Sequence, residues 1–201
     1  MNKIIPAIML GTLSVLPAAA VVDKNFNYHV DRFADIEVLR YEVPEFDRLS
    51  LQQKKMLYYL GQAAQMGRDI IWDQNGRYNL QIRQLLENIY SNYHGDRNSK
   101  DFKAFEQYLK QVWFGNGIYH HYSTDKFTPG FSEAFFTAQV NGLPADKLPL
   151  ETGETRERML AKLTKVIFDP TYLAKRVNQD GTVDVVATSA CNLYGDGVTQ
   201  A

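Results

Sequence analysis

The chain has 201 residues, 45% of them hydrophobic and 12% aromatic, which suffices for one domain or two small ones around a real core and excludes a disordered chain. Lys and Arg number 22 against 23 Asp and Glu, and they are interspersed, so no basic surface for nucleic acid or an anionic membrane is advertised. The single cysteine, Cys191, excludes an internal disulfide and any Cys-based zinc site; its flanks lack a nucleophile's setting, and a buried, inert thiol is expected.

Residues 1–20 differ in kind from the rest. Lys3 gives a positive start, Ile4 to Leu16 is almost wholly apolar, and Ala18-Ala19-Ala20 ends in the small-x-small pattern that signal peptidase accepts. The apolar run falls short of the roughly 18 to 20 residues needed to span a bilayer. A cleaved signal is therefore expected, with the mature chain beginning near Val21 in the periplasm or outside the cell and holding no membrane thereafter. Residues 21–49 show no sustained period and predict an extended lead-in lying on the body.

Residues 50–170 predict a helical body. Ser50-Leu51-Gln52-Gln53 has a capping-box pattern, and Met56, Leu60, Ala63, Ala64 and Ile70 or Ile71 continue at helical spacing, before a turn at Asp73-Gln74-Asn75-Gly76 with Gly76 suited to positive φ. Tyr78, Ile82, Leu85, Leu86, Ile89 and Tyr90 form the stripe of a second helix, closed by His94-Gly95. Ser99 caps a third, striped by Phe102, Phe105, Leu109, Val112 and Trp113 and broken by Gly115-Asn116-Gly117. A short helix is expected around Ser132 to Val140. Thr152 is the expected cap of a fourth long helix bearing Met159, Leu160, Leu163 and Ile167, which must stop before Asp169-Pro170. In residues 171–201 the period changes: Ala174 to Val177 and Thr182 to Ala187 flank an Asp180-Gly181 step, the signature of a β-hairpin. The expected class is mainly α with a small C-terminal β-hairpin.

Among motifs that carry chemistry, no histidine pair has the helix-face spacing that zinc hydrolases need. Adjacent His120 and His121 should point to different sides, either lining a polar cleft or sitting on a surface loop beside Tyr119 and Tyr122. An EF-hand reading of Asn178 to Asp184 fails, because Gly181 in the invariant glycine position puts the cation Arg176 where the first carboxylate belongs. No nucleophile elbow, Walker loop or dinucleotide fingerprint is present.

Several strings nevertheless resemble the N-terminal region of dipeptidyl peptidase III, a zinc metallopeptidase family, in its Bacteroidetes-type members. They run from Phe33-Ala34-Asp35-Ile36-Glu37-Val38-Leu39-Arg40-Tyr41-Glu42-Val43-Pro44 through Leu57-Tyr58-Tyr59-Leu60, Gly67-Arg68-Asp69-Ile70 and Asp101-Phe102-Lys103-Ala104-Phe105. They continue in Val112-Trp113-Phe114-Gly115-Asn116-Gly117-Ile118, His120-His121-Tyr122-Ser123-Thr124-Asp125-Lys126-Phe127-Thr128-Pro129 and Ser189-Ala190-Cys191-Asn192-Leu193-Tyr194. The resemblance implies a two-lobed hydrolase, an aminopeptidase-like enzyme that removes dipeptides from peptide N-termini. Its zinc is held by a His-Glu-x-x-x-His helix and a later glutamate, and the glutamate of the first motif is the base. This sequence has neither, so the chain is expected to be a fragment of the substrate-side lobe, inactive alone and without zinc, whose C-terminal strands belong to a barrel completed elsewhere. The same resemblance implies that Tyr122 and Ser123 approach the peptide substrate near its N-terminus. The alternative is an exported, α-rich binding protein without catalytic activity.

Overall fold

A computed structural model describes residues 25–194 and 197–200. The expected signal segment, 1–20, lies outside the described residues. The described residues are mainly helical with one small antiparallel sheet of two strands, and no helix among them is long and apolar enough to cross a membrane.

The sheet lies near the start of the described chain, which corrects the expected C-terminal hairpin. Strands β1 (His29–Phe33) and β2 (Ile36–Leu39) pair through a two-residue connection, Ala34-Asp35, with Phe33 opposite Ile36 and Arg32 opposite Glu37. The Arg32 guanidinium lies 2.8 Å from the Glu37 carboxylate across the pair. Ile36 is buried, and the residues 21–49 expected as an extended lead-in hold this hairpin and a 3-10 turn, Pro44–Arg48.

Helix α1 (Leu51–Met66) begins as the capping box predicts: the Gln53 N–H donates to Ser50 Oγ at 3.3 Å, and the Ser50 N–H donates to Gln53 Oε1 at 2.9 Å. Its apolar stripe does not pack. No residue of α1 is buried, and Met56, Tyr59, Leu60 and Met66 are 56, 67, 57 and 86% exposed. Gly67 ends α1, and α2 (Arg68–Asn75) runs on through the predicted turn to bury Trp72. Gly76 has φ 171°, an extended conformation, and the reason for glycine there is space: a Cβ would stand 2.8 Å from Nδ2 of Asn79.

Helices α3 (Asn79–Asn92) and α4 (Lys100–Gly115) form the centre. On α3, Ile82, Leu85, Leu86 and Ile89 are buried, as are Phe102, Phe105, Leu109 and Val112 on α4. Each such side chain contributes about 1.5–3 kcal/mol by leaving water. Trp113, expected in the same stripe, is 41% exposed and donates its indole N–H to Glu87 at 2.9 Å. Ser99 caps α4, while Asn116, in the left-handed conformation at φ 49°, closes it. The predicted glycine cap of α3 does not form, since Tyr93 leaves the helix in an extended conformation.

Helix α5 (Glu133–Gly142), capped by Ser132, packs with α6 (Arg156–Phe168). Arg156 donates from Nη1 to the carbonyls of Val140 and Asn141 at 2.7 and 2.9 Å, satisfying the C-terminal end of α5. The cap of α6 is Thr155, not Thr152. The intervening Gly153 adopts φ +77°, and Glu154 turns inward to Lys162 and Gln81 at 2.7 Å each, so the helix starts three residues later. It stops at Asp169, before Pro170, as expected.

The β-branched run after Gly181 does not form a strand. Asp184 accepts from the N–H groups of Val186 and Ala187 at 2.9 and 3.0 Å, and this cap folds Val185–Thr188 into a single helical turn, α7. Lys175 pairs instead with Asp125 on one side and with Ser189 on the other, in isolated bridges. Segment 189–191 is thus held, with Ala190 and Cys191 donating to the carbonyls of Lys175 and Arg176 at 3.0 Å each. Cys191 is buried, as its composition context predicts.

Candidate functional site

The segment after α4 turns back on itself. Tyr119 bridges Lys126, the Phe127 N–H donates to Ile118 O at 2.8 Å and the His120 N–H to Asp125 O at 2.8 Å, leaving residues 121–124 as the tip. Thr124 takes φ 63° to make the return, and its N–H closes on His120 O at 3.1 Å. Tyr122, at the apex, is 84% exposed, and Ser123 beside it is also exposed.

Two distant segments hold this loop. From the C-terminal side, the Arg176 N–H donates to Thr124 O at 2.8 Å, the Lys126 N–H donates to Ala174 O at 3.0 Å, and Lys175 Nζ lies 2.6 Å from Asp125 Oδ1. Lys175, seconded by the Ser123 hydroxyl, holds the Asp125 carboxyl below the usual carboxylate range. From the N-terminal side, the β1–β2 hairpin docks on α4 through Asp31 and Lys110, 2.8 Å apart, and through Phe33 against Phe114. That docking brings the turn residue Asp35 to within 3.3 Å of His120 Nε2.

His120 and His121 do not point to opposite sides. Their ring centroids are 4.5 Å apart and the planes are tilted by 32°, with Tyr122 4.2 Å from His121 and Phe114 5.0 Å from it on the protein side. The histidines therefore sit under the apex of the loop and form its floor. Burial, aided by the adjacent His120, holds the His121 imidazole below the usual histidine range, and its Nδ1 has no hydrogen-bond partner among the described residues. His120 spends Nδ1 on the N–H groups of Tyr122 and Ser123, at 3.2 and 3.1 Å.

This pattern decides what the loop can do. The Asp125 N–H donates to Ser123 Oγ at 3.3 Å, the Ser123 hydroxyl helps hold the Asp125 carboxyl low, and the acceptor nitrogen of His120 is occupied by main-chain donors, so the histidine does not address the hydroxyl. Zinc does not fit these residues either: His120 has no free lone pair, and among the described residues no three His, Cys, Asp or Glu side chains converge. What the loop offers is an exposed phenol on a stiff base. Beside it runs a groove of about 410 Å³ lined by Tyr172, Ala174, Lys175, Asn178, Val183 and Thr188.

The sequence placed Tyr122 and Ser123 on a loop, and the structure puts both at its tip. It did not place Asp35, Asp125 or Lys175 beside them. The period-two placement of Phe33, Ile36 and Val38 against Arg32 and Glu37 around Ala34-Asp35 was the available signal for the hairpin that delivers Asp35. No protein-family profile and no curated protein sequence matches this chain.

Proposed function

We propose that this chain is the N-terminal, substrate-side part of a secreted zinc dipeptidyl peptidase, a metallopeptidase that removes dipeptides from peptide N-termini, and that it has no activity alone. The observation that carries this reading is the uncovered face of α1. A helix of 16 residues, about 24 Å long, keeps Met56, Leu57, Tyr59, Leu60 and Met66 in water, and Ile70 and Ile71 of α2 are exposed as well. Surfaces of that kind ask for cover by further protein. The rest of a two-lobed enzyme is such a cover, and the family-like strings from Phe33 onward supply its identity. In this reading Tyr122 and Ser123 meet the peptide substrate near its N-terminus, zinc and base are supplied by a later part of the enzyme, and export follows cleavage near Ala20.

The second reading, an exported α-rich binding protein, is favoured by the braced loop and its neighbouring groove, which suit recognition without chemistry. The DNA after the codon for Ala201 separates the two. A continuation in any frame that leads to His-Glu-x-x-x-His supports the peptidase, and a stop followed by unrelated sequence refutes it. In parallel, the purified chain should hold no stoichiometric zinc and release no dipeptide from a dipeptidyl-naphthylamide. One bound zinc per chain would contradict the assignment of its metal to another part of the enzyme. N-terminal sequencing from producing cells tests export; retained Met1 in a cytoplasmic form would refute it.

A further inference from the structure

His120 offers both ring nitrogens to the protein. Two main-chain N–H groups, those of Tyr122 and Ser123, converge on Nδ1 at 3.2 and 3.1 Å, and an N–H can only donate. Nδ1 therefore accepts through its lone pair, as the neutral Nε2–H tautomer allows, and Nε2 lies 3.3 Å from the Asp35 carboxylate. One imidazole thus ties the tip of the loop to the turn of the β1–β2 hairpin.

We propose that His120 is the positioning residue for Tyr122 and Ser123, bracing them as a neutral imidazole anchored on Asp35, and that its protonation releases the tip of the loop. The brace deepens the substrate-side reading above and rests on that reading only for its consequence, a weaker grip on a peptide in acid. A protonated imidazole has two donors and no acceptor. Its new N–H would face two other N–H groups, so both amides lose their acceptor at once, while the contact with Asp35 gains full charge on both partners.

Charged and titratable groups surround the ring. Asp35 from the hairpin turn and Asp125 from the far side of the loop are its carboxylates. His121 lies 4.5 Å away, the two amides converge on Nδ1, and Arg176, from the segment paired with the loop, adds positive charge on the His121 side. Tyr122 and Phe127 pack at 6.2 and 6.1 Å and bring no charge in this range. Burial lowers the His121 imidazole from its usual range, and neither loop amide donates to it, so the two amides depend on His120.

The test is a ¹H–¹⁵N titration of the full chain from about pH 8 to about pH 5, which spans the histidine range. The amide signals of Tyr122 and Ser123 should follow a single titration that coincides with that of the His120 ring, and their exchange protection should fall about fivefold or more across it. The ring should show the Nε2–H tautomer at the alkaline end. In His120→Phe, which keeps a planar ring but accepts nothing, both amides should be unprotected throughout and independent of pH. Amide signals that stay constant while the wild-type ring titrates would overturn the proposal, as would the same amide titration persisting in His120→Phe. The wild-type measurement needs no variant to fold. Neither measurement reads peptide binding, so the brace and the substrate-side assignment can fail separately.

Discussion

Replacement of Lys126 by methionine tests how the site is built into the body. Val166 would normally give its carbonyl to the N–H four residues on, but residue 170 is proline and has none. Lys126 supplies the missing donor: its ammonium reaches Val166 O at 3.0 Å and Tyr172 O at 2.6 Å, and also bonds Asp169 O, closing the end of α6 and the turn after it. Burial holds this ammonium below the usual lysine range, against the pull of Asp169. Lys126→Met keeps the stem and removes all three bonds. Hydrogen bonds to a charged donor contribute about 1.5–3 kcal/mol each, but one ammonium shares them and water reaches a half-buried site. The expected loss is therefore about 3 kcal/mol rather than the full sum. For a chain of this size that lowers the melting temperature by about 6 to 12 °C. Urea titration and thermal melting by circular dichroism both measure it. A loss under about 1 kcal/mol would mean that water replaces the ammonium at these carbonyls, and the capping argument would be wrong.

Three further outcomes follow from the same geometry. Gly117→Ala puts a Cβ 2.2 Å from Nδ2 of the buried Asn79 on a backbone at φ +146°, and should cost about 2 kcal/mol or more of global stability in denaturant titration. Ser50→Ala removes the capping box of a helix that buries nothing; amide exchange in residues 54–58 should rise by the equivalent of about 1 kcal/mol, with global melting unchanged. Burial raises the Glu154 carboxyl, but bonds from Lys162, the Glu151 N–H and Gln81 outweigh it, so the net direction is down. Its stabilisation is thus complete above its unfolded value near 4.5 and is lost as pH falls through the lower folded one, and the roughly 1–2 kcal/mol cost of Glu154→Gln at pH 7 should shrink steadily below pH 4.5.

The features that could be read from the sequence are those whose cause is local. Ser50, Ser99 and Ser132 cap helices because each hydroxyl accepts from a backbone N–H three residues on, and nothing distant competes. Thr152 failed as a cap for a tertiary reason: Lys162, ten residues later, draws Glu154 inward and shifts the start to Thr155. The stripe on α1 has the right period, yet periodicity marks a face that can be buried without naming what buries it. The C-terminal strands were misplaced because Lys175 finds its antiparallel partner at Asp125, fifty residues earlier, while Asp184 diverts the following β-branched run into a helical turn. Tyr122 and Ser123 were legible as a loop. Asp35, delivered by a hairpin eighty-five residues before His120, was not.

These long-range links make the loop and the end of α6 one mechanical unit. Lys126 uses its side chain to close α6 and its main-chain N–H to hold Ala174, while the next residue back, Asp125, holds Lys175 through its side chain. Segment 174–176 in turn carries Ala190 and Cys191. Loosening the end of α6 should therefore propagate to the loop without touching it directly. In Lys126→Met, amide protection should fall at Lys126, Arg176, Ala190 and Cys191 together, whereas Leu85 and Leu109, in the α3–α4 centre, change only by the global loss of stability. Protection lost at Lys126 alone would mean that the paired segments hold their register without α6. In that case the position of Tyr122 would depend on the His120 and Asp35 side alone.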